Sequence, residues 1–268
     1  TGVQTCALPI SVFTRQQDTK RAFAALREVL RLQPDDLLLR KRIANTWYRM
    51  GKKDQAITEY NEILKRTPDD DAVRRDLGKT LFETEKYHRC QEIVTDYLSR
   101  FPDDFECVKW IGLSWAYSQY WKNAIPFLRR VVEQTPQDIE TVRTLSIGYR
   151  KLEMYEEATS ILQNLLKEQP ESISLWVLLG ATYQDCGEWE QAEKTYTKAI
   201  ELHQPTASLL FSLGQVKAAV GKSAEAIRMY EDALKMDEKR TDIVVELAKE
   251  LRKEKHHDQA ESLLRNHL

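Results

Sequence analysis

Prolines recur in this chain on a fixed beat: Pro34, Pro68, Pro102, Pro136 and Pro170 stand 34 residues apart, and Pro205 follows one residue late. A period of roughly 20–50 residues marks a repeat architecture, in which one supersecondary unit is copied and stacked. Residue size keeps the same beat. Ala44, Gly78, Gly112, Ser146, Gly180, Gly214 and Ala248 follow it, and twelve residues after each stand Ala56, Cys90, Ala124, Ala158, Ala192, Ala226 and Ala260. Two helices approach closely only where neither carries bulk, so this offset predicts the contact of a helix A with a following helix B.

Large side chains fill the space beside that contact. Helix A supplies Ile43, Leu77, Ile111, Leu145, Leu179, Leu213 and Leu247, with Trp47, Leu81, Trp115, Tyr149 and Tyr183 on the same face. Helix B supplies Tyr60, Val94, Leu128, Leu162, Tyr196, Tyr230 and Leu264. Such spacing describes a core seam rather than an aromatic cofactor box. Gly51, Gly187 and Gly221 fall where helix A ends, where a left-handed residue favours glycine. The Pro-Asp-Asp runs at 34, 68 and 102 stop helix B and give the next helix A an acidic N-cap. With 9 glycines and 8 prolines in 268 residues, the chain lacks the turns of an all-β fold. Pro126, inside a predicted helix B over 121–134, predicts a kink or a tightened first turn.

The signature W-x2-L-G-x2-Y, A-x3-F, P is read best over residues 173–206, in Trp176, Leu179, Gly180, Tyr183, Ala192, Tyr196 and Ala199, with Pro205 displaced by one. On these residues the chain resembles the tetratricopeptide repeat family, in particular its bacterial-type multi-repeat members. The resemblance covers 37–268, in units starting near 37, 71, 105, 139, 173, 207 and 241. A truncated first repeat over 11–36, with a B helix at about 18–32, precedes them. Lys217 departs from the pattern by replacing the helix A aromatic, and the last units lose the proline. The implied fold is all-α, a right-handed α-solenoid of about seven 34-residue hairpins whose A helices line a concave wall.

The implied function is a non-catalytic protein-protein interaction scaffold, which holds an extended or helical peptide in that groove. The alternative is a regulatory or substrate-recognition arm of a larger enzyme or envelope-assembly protein. Projecting the family's inward positions gives Lys41, Arg42, Asn45, Tyr48 and Arg49, then Arg75, Asp76, Lys79, Phe82 and Glu83. Glu106, Lys109, Trp110, Leu113 and Tyr117 follow, and then Glu140, Arg143, Arg150 and Lys151. Nine of these are cationic and four acidic, which suits an acidic or carboxylate-bearing peptide with aromatic sockets for its apolar side chains. Farther on, Val177, Leu178, Ala181, Phe211 and Ala218 make the wall more apolar. Some relatives clamp a C-terminal carboxylate with Lys and Asn, then Asn, then Lys and Arg. Lys41 and Asn45 match the first part, but Asp76, Glu106 and Trp110 stand where the others belong.

Other chemistry finds little footing. A net charge of -2 and a pI near 6.3 give no global attraction to nucleic acid. There is no apolar run long enough to span a membrane. Residues 1–10, TGVQTCALPI, resemble a translated sequencing adapter and are expected to be a non-native leader, so the native start and its targeting are expected to be missing. The cysteines, Cys6, Cys90, Cys107 and Cys186, show no CxxC spacing; they are compatible with the cytoplasm, predict no zinc, and leave compartment and oligomeric state open. Cys90 reads as a small core hydrophobe. The His256-His257 pair lies at a predicted turn, where neighbouring side chains diverge. Gly221-Lys222-Ser223 mimics the end of a phosphate loop, but Gly214 is too distant and no strand precedes it. No catalytic residue and no cofactor are predicted.

Overall fold

The computed structural model of the protein describes residues 28–33, 35–202 and 204–267. The leader, the start of the truncated repeat, Pro34, His203 and Leu268 lie outside the described residues; residues 28–32 are helical. Among the described residues fourteen helices follow, with no strand. α1 (Leu37–Arg49) pairs with α2 (Lys53–Arg66) and α3 (Asp71–Glu83) with α4 (Tyr87–Leu98), and α5 (Phe105–Tyr117) and α6 (Trp121–Gln134) follow in the chain. Next come α7 (Ile139–Lys151) with α8 (Tyr155–Glu168), and α9 (Ile173–Asp185) with α10 (Trp189–Leu202). The last pairs are α11 (Ala207–Ala219) with α12 (Ser223–Met236) and α13 (Thr241–Lys253) with α14 (His257–His267). The architecture is the all-α class of stacked helical hairpins.

The chain divides into two compact units, residues 1–114 and 115–268, the division falling inside α5. In the first, α1 packs on α2, α2 on α3 and α3 on α4. In the second, each helix from α6 to α14 packs on the next, and α7, α9, α11 and α13 also touch in succession. Contacts restricted to neighbours are what a repeat array requires, since no single hairpin can bury its apolar face alone.

Local chemistry sets the helix ends. Asp36, Asp70 and Asp138 each accept a hydrogen bond from a backbone amide of the first turn, from Leu39, Val73 and Thr141. The Asp104 carboxylate accepts from the Cys107 amide at 3.2 Å. At the other end of each A helix the chain turns through a left-handed residue, and this position keeps the 34-residue beat without exception. Gly51, Glu85, Gln119, Glu153, Gly187, Gly221 and Lys255 all have φ between 58 and 81°. The next amide closes the turn onto a carbonyl five residues back in every repeat, as from Lys52 to Trp47 (2.9 Å) and from His256 to Leu251 (2.8 Å). Gly221-Lys222-Ser223 is one of these turns, leading into α12.

All the small positions described in both helices are buried. What presses on the A-helix glycines is a B-helix side chain from four residues beyond the small one. A Cβ at Gly180 would lie 2.6 Å from the Tyr196 ring, at Gly214 2.5 Å from the Tyr230 ring, and at Gly78 2.6 Å from Val94. Cys90 sits against the same backbone, its thiol donating to the Gly78 carbonyl at 3.5 Å, and burial pushes that thiol up to about 11.

Two departures from the repeat pattern find physical explanations. Lys217, in place of an aromatic, donates to Glu193 of α10 (2.6 Å) and Glu225 of α12 (2.5 Å), so an ion-pair bridge fills the interhelical space. Helix α6 runs unbroken through Pro126, which is exposed, so water can satisfy the carbonyl left without an amide. No helix among the described residues is long and apolar enough to cross a membrane.

Two stability predictions follow from these geometries. Gln119→Gly relieves a left-handed residue and is expected to stabilise the protein by about 1 kcal/mol, while Gly187→Ala destabilises it by a similar amount. Thermal melts should move in opposite directions by about 2–4 °C. Gly180→Ala drives a methyl into the Tyr196 ring and should destabilise by about 1–3 kcal/mol, read as a lower urea midpoint at unchanged slope.

Candidate functional site

The A-helix wall of the first unit contains a pocket of about 220 Å³. Asn45, Tyr48 and Arg49 of α1 form one side, Arg75, Asp76, Lys79 and Thr80 of α3 the other, and Tyr60 of α2 reaches in from behind. Positions 34 residues apart share a face of adjacent hairpins, so six of the residues projected onto the wall converge here: Asn45, Tyr48, Arg49, Arg75, Asp76 and Lys79.

Most polar groups of the pocket are already engaged. The Tyr60 hydroxyl donates to Asn45 Oδ1 at 2.6 Å, and Tyr48 donates to Glu83 at 2.8 Å. Thr80 Oγ1 donates to the Asp76 backbone carbonyl at 2.7 Å. Arg75 is held by Asp104 through Nε (2.6 Å) and by Glu106 (2.6 Å), and its guanidinium lies 5.4 Å from the centre of the Trp110 ring. Lys79 Nζ stands over the Tyr48 ring at 5.6 Å. Burial, with the bond to Glu83, pushes the Tyr48 phenol up to about 12, so it remains a donor at physiological pH. Burial disfavours ionisation of Asp104, but the Arg75 hydrogen bond and the Cys107 amide outweigh it and hold the carboxyl below its ordinary value.

Asp76 is the exception. Its half-buried carboxylate makes no hydrogen bond or ion pair among the described residues. Burial pushes its pKa up, and the charges of Lys41, Arg75 and Lys79 only partly pull it back. Perturbed carboxyls of this kind collect at binding sites.

The remaining wall residues divide by environment. In the first unit Lys41 pairs with Asp70 at 3.4 Å and Arg42 is exposed. The Phe82 ring packs 6.2 Å from that of Tyr87, Lys109 is half-buried, and Trp110 is buried beneath Arg75. Leu113, expected on the groove wall, belongs instead to the core, with 0% of its surface exposed. In the second unit Tyr117 is exposed and its hydroxyl donates to Glu140 at 3.1 Å, Arg143 is exposed, and Arg150 is bound to Asp185 at 2.6 Å. The expected surplus of positive charge is therefore largely matched, because Lys41, Arg75 and Arg150 each meet a carboxylate from the following repeat. Sequence reading missed these partners and the inward reach of Tyr60. A signal existed for the first two: Asp70 and Asp104, already recognisable as N-caps, each lie 29 residues after their cation.

Paired helices copied on one beat, presenting a side-chain-lined wall, define a helical-repeat protein of the kind that serves as a protein-interaction scaffold. Models of the tetratricopeptide repeat match residues 13–75 and 171–239, and a model of subunit 3 of the anaphase-promoting complex, cyclosome, matches 118–199. The chain belongs to the tetratricopeptide repeat family. No curated protein matches it. Among solved structures, a tetratricopeptide repeat protein from Parabacteroides merdae ATCC 43184 is 19% identical, with 90% of this chain and 95% of that one covered at a TM-score of 0.54. YrrB, described as a TPR protein with an unusual peptide-binding site, is 20% identical over 72% of this chain and 98% of its own, at 0.61. MamA AMB-1 is 22% identical over 62% and 91%, at 0.57. These likenesses concern the fold.

The pKa of Asp76 gives a pH prediction. A carboxyl whose folded pKa is raised binds its proton more tightly in the folded state, so ionising it at neutral pH opposes folding. Asp76→Asn should raise the melting temperature at pH 7, and the gain should shrink as the pH falls through the carboxylate range. A variant melting below the parent at pH 7 would contradict the assignment.

Proposed function

We propose that the protein is a non-catalytic scaffold that holds an extended or helical peptide segment of a partner protein against its A helices, with a preference for acidic segments. The observation that carries this reading is the first-unit pocket, where two successive repeats contribute predicted wall residues and two of the cations, Arg49 and Lys79, make no hydrogen bond or close ion pair with a carboxylate among the described residues. Exposed Arg42 and Arg143 add positive charge to the same class of A-helix position. The family fits, since tetratricopeptide arrays are typically interaction scaffolds without chemistry of their own. YrrB, which shares the fold, carries a peptide-binding site, and a comparable capacity is proposed for this chain. Charge-assisted hydrogen bonds to carboxylates would supply much of the affinity, and Tyr48 and Phe82 the apolar contact.

The test uses the full chain and two randomised decapeptide libraries, one rich in Asp and Glu and the other in Lys and Arg, read by fluorescence anisotropy. The acidic library should bind more tightly, and the advantage should fall as salt is raised. Arg49→Glu with Lys79→Glu should weaken acidic binding by about tenfold or more while leaving the circular dichroism unchanged, at roughly 1 kcal/mol per reversed charge. Arg75 is unsuitable for this purpose, because reversing it would break its bonds to Asp104 and Glu106 in the next repeat. Equal binding of both libraries would refute the acidic preference.

A further inference from the structure

We infer that the pocket between α1 and α3 anchors the side-chain carboxamide of a glutamine or asparagine in the bound peptide, and that Asp76 is the residue that selects it. The inference rests on the peptide-binding reading above and names the group that the pocket takes.

The argument is an inventory of donors and acceptors. Tyr48, Tyr60 and Thr80 have committed their hydroxyl protons to Glu83, Asn45 Oδ1 and the Asp76 carbonyl, and Arg75 has committed Nε and Nη2 of its guanidinium to Asp104 and Glu106. The groups left for a ligand are the Asn45 amide Nδ2, the Arg49 guanidinium, Nη1 of Arg75 and the Lys79 ammonium, all donors, and the Asp76 carboxylate, an acceptor. Formal charge balances as well: the three lining cations, Arg49, Arg75 and Lys79, are offset by Asp76 and by the two carboxylates that hold Arg75.

Each class of ligand group can be weighed against that inventory. A carboxylate gains Arg49 and Lys79 but sets a second negative charge beside Asp76, which has no hydrogen bond to spread its own. A guanidinium or ammonium gains Asp76 and meets Arg49 and Lys79. An aliphatic group leaves the unengaged donors and the Asp76 carboxylate without a partner, a loss that polar sites penalise heavily. Of these groups, a primary carboxamide carries a carbonyl for the Asn45, Arg49 and Lys79 donors together with an NH2 for Asp76, and brings no charge to be desolvated. The volume of about 220 Å³ is enough for one such side chain. The half-buried, unbonded state of Asp76 in the free protein then has a reason: its partner arrives with the ligand.

The experiment compares four decapeptide libraries in which a fixed central residue is Gln, Glu, Lys or Ala and every other position is drawn from Asp, Glu, Ala, Leu and Ser. Binding to the full chain and to its Asp76→Asn variant is measured by fluorescence anisotropy. The parent should prefer the Gln library over the Glu library by about tenfold. In Asp76→Asn, where the side chain can donate or accept, the Glu library should gain until it binds about as tightly as the Gln library. If the parent prefers Glu or does not discriminate, or if Asp76→Asn leaves the order unchanged, the carboxamide assignment is overturned while acidic-peptide binding stands. If none of the libraries binds, both readings fall together. Thermal melts of the variant, expected to be at least as stable as the parent at pH 7, separate a lost preference from a lost fold.

Discussion

A tyrosine ring packed against bare helical backbone joins the two helices of the α9–α10 and α11–α12 hairpins. Tyr196 against Gly180 and Tyr230 against Gly214 leave no room for even a methyl group, and Val94 against Gly78 repeats the arrangement with a smaller side chain. Dispersion at this distance, summed over a ring, fixes the separation of helix A and helix B. Once that distance is set, the path between the helices follows. The left-handed residue at the end of every A helix is occupied by glutamate, glutamine or lysine in four repeats out of seven. Such residues pay a steric penalty there, so the packing of the two helices, reinforced by the amide that closes the turn, dictates the backbone instead of the residue at the corner.

Between hairpins the chain uses one residue for two tasks. Asp70 caps α3 and also receives Lys41 from the preceding A helix; Asp104 accepts from the Cys107 amide in the first turn of α5 and also receives Arg75. In the second unit the same register survives with its chemistry inverted, for Arg240 at the start of α13 lies over the Phe211 ring of α11 at 5.0 Å. A cation facing an acidic cap, and an aromatic facing a cationic one, are two solutions to the same problem of joining a repeat to the next. Exposed pairs of this sort add little stability individually. Their value lies in register, since they match only when hairpins stack in the order the sequence prescribes.

What could be read from residues alone follows the division between period and partner. Helix starts, caps and the small-residue seam were legible because they recur, and recurrence is visible without coordinates. The left-handed corner was legible at Gly51, Gly187 and Gly221 but hidden at Glu85, Gln119, Glu153 and Lys255, where residue type argues against it and only the register argues for it. Counting charges on the projected wall failed to anticipate that Lys41, Arg75 and Arg150 are matched, because their partners come from 29 to 35 residues away and from positions assigned to capping or to helix ends. Leu113 carries the right spacing for the wall and still faces the core, as neighbouring positions near the edge of a helical stripe are separated by less than a side chain's width.

That near-balance of charge changes what selectivity on such a wall can mean. A surface with a large excess of one sign attracts any oppositely charged segment and discriminates poorly among them. Here the surplus is small and local, at Arg49 and Lys79, and it stands beside a carboxylate that the fold leaves without a bond. Burial of that carboxylate without a hydrogen bond opposes folding, and a residue of Asn, Ser or Ala at position 76 would avoid that penalty. On the proposed peptide-binding reading, an unmet acceptor among unmet donors favours, in that pocket, a side chain that carries both kinds of hydrogen-bonding group, while acidic residues elsewhere in the segment meet the exposed cations of the wall.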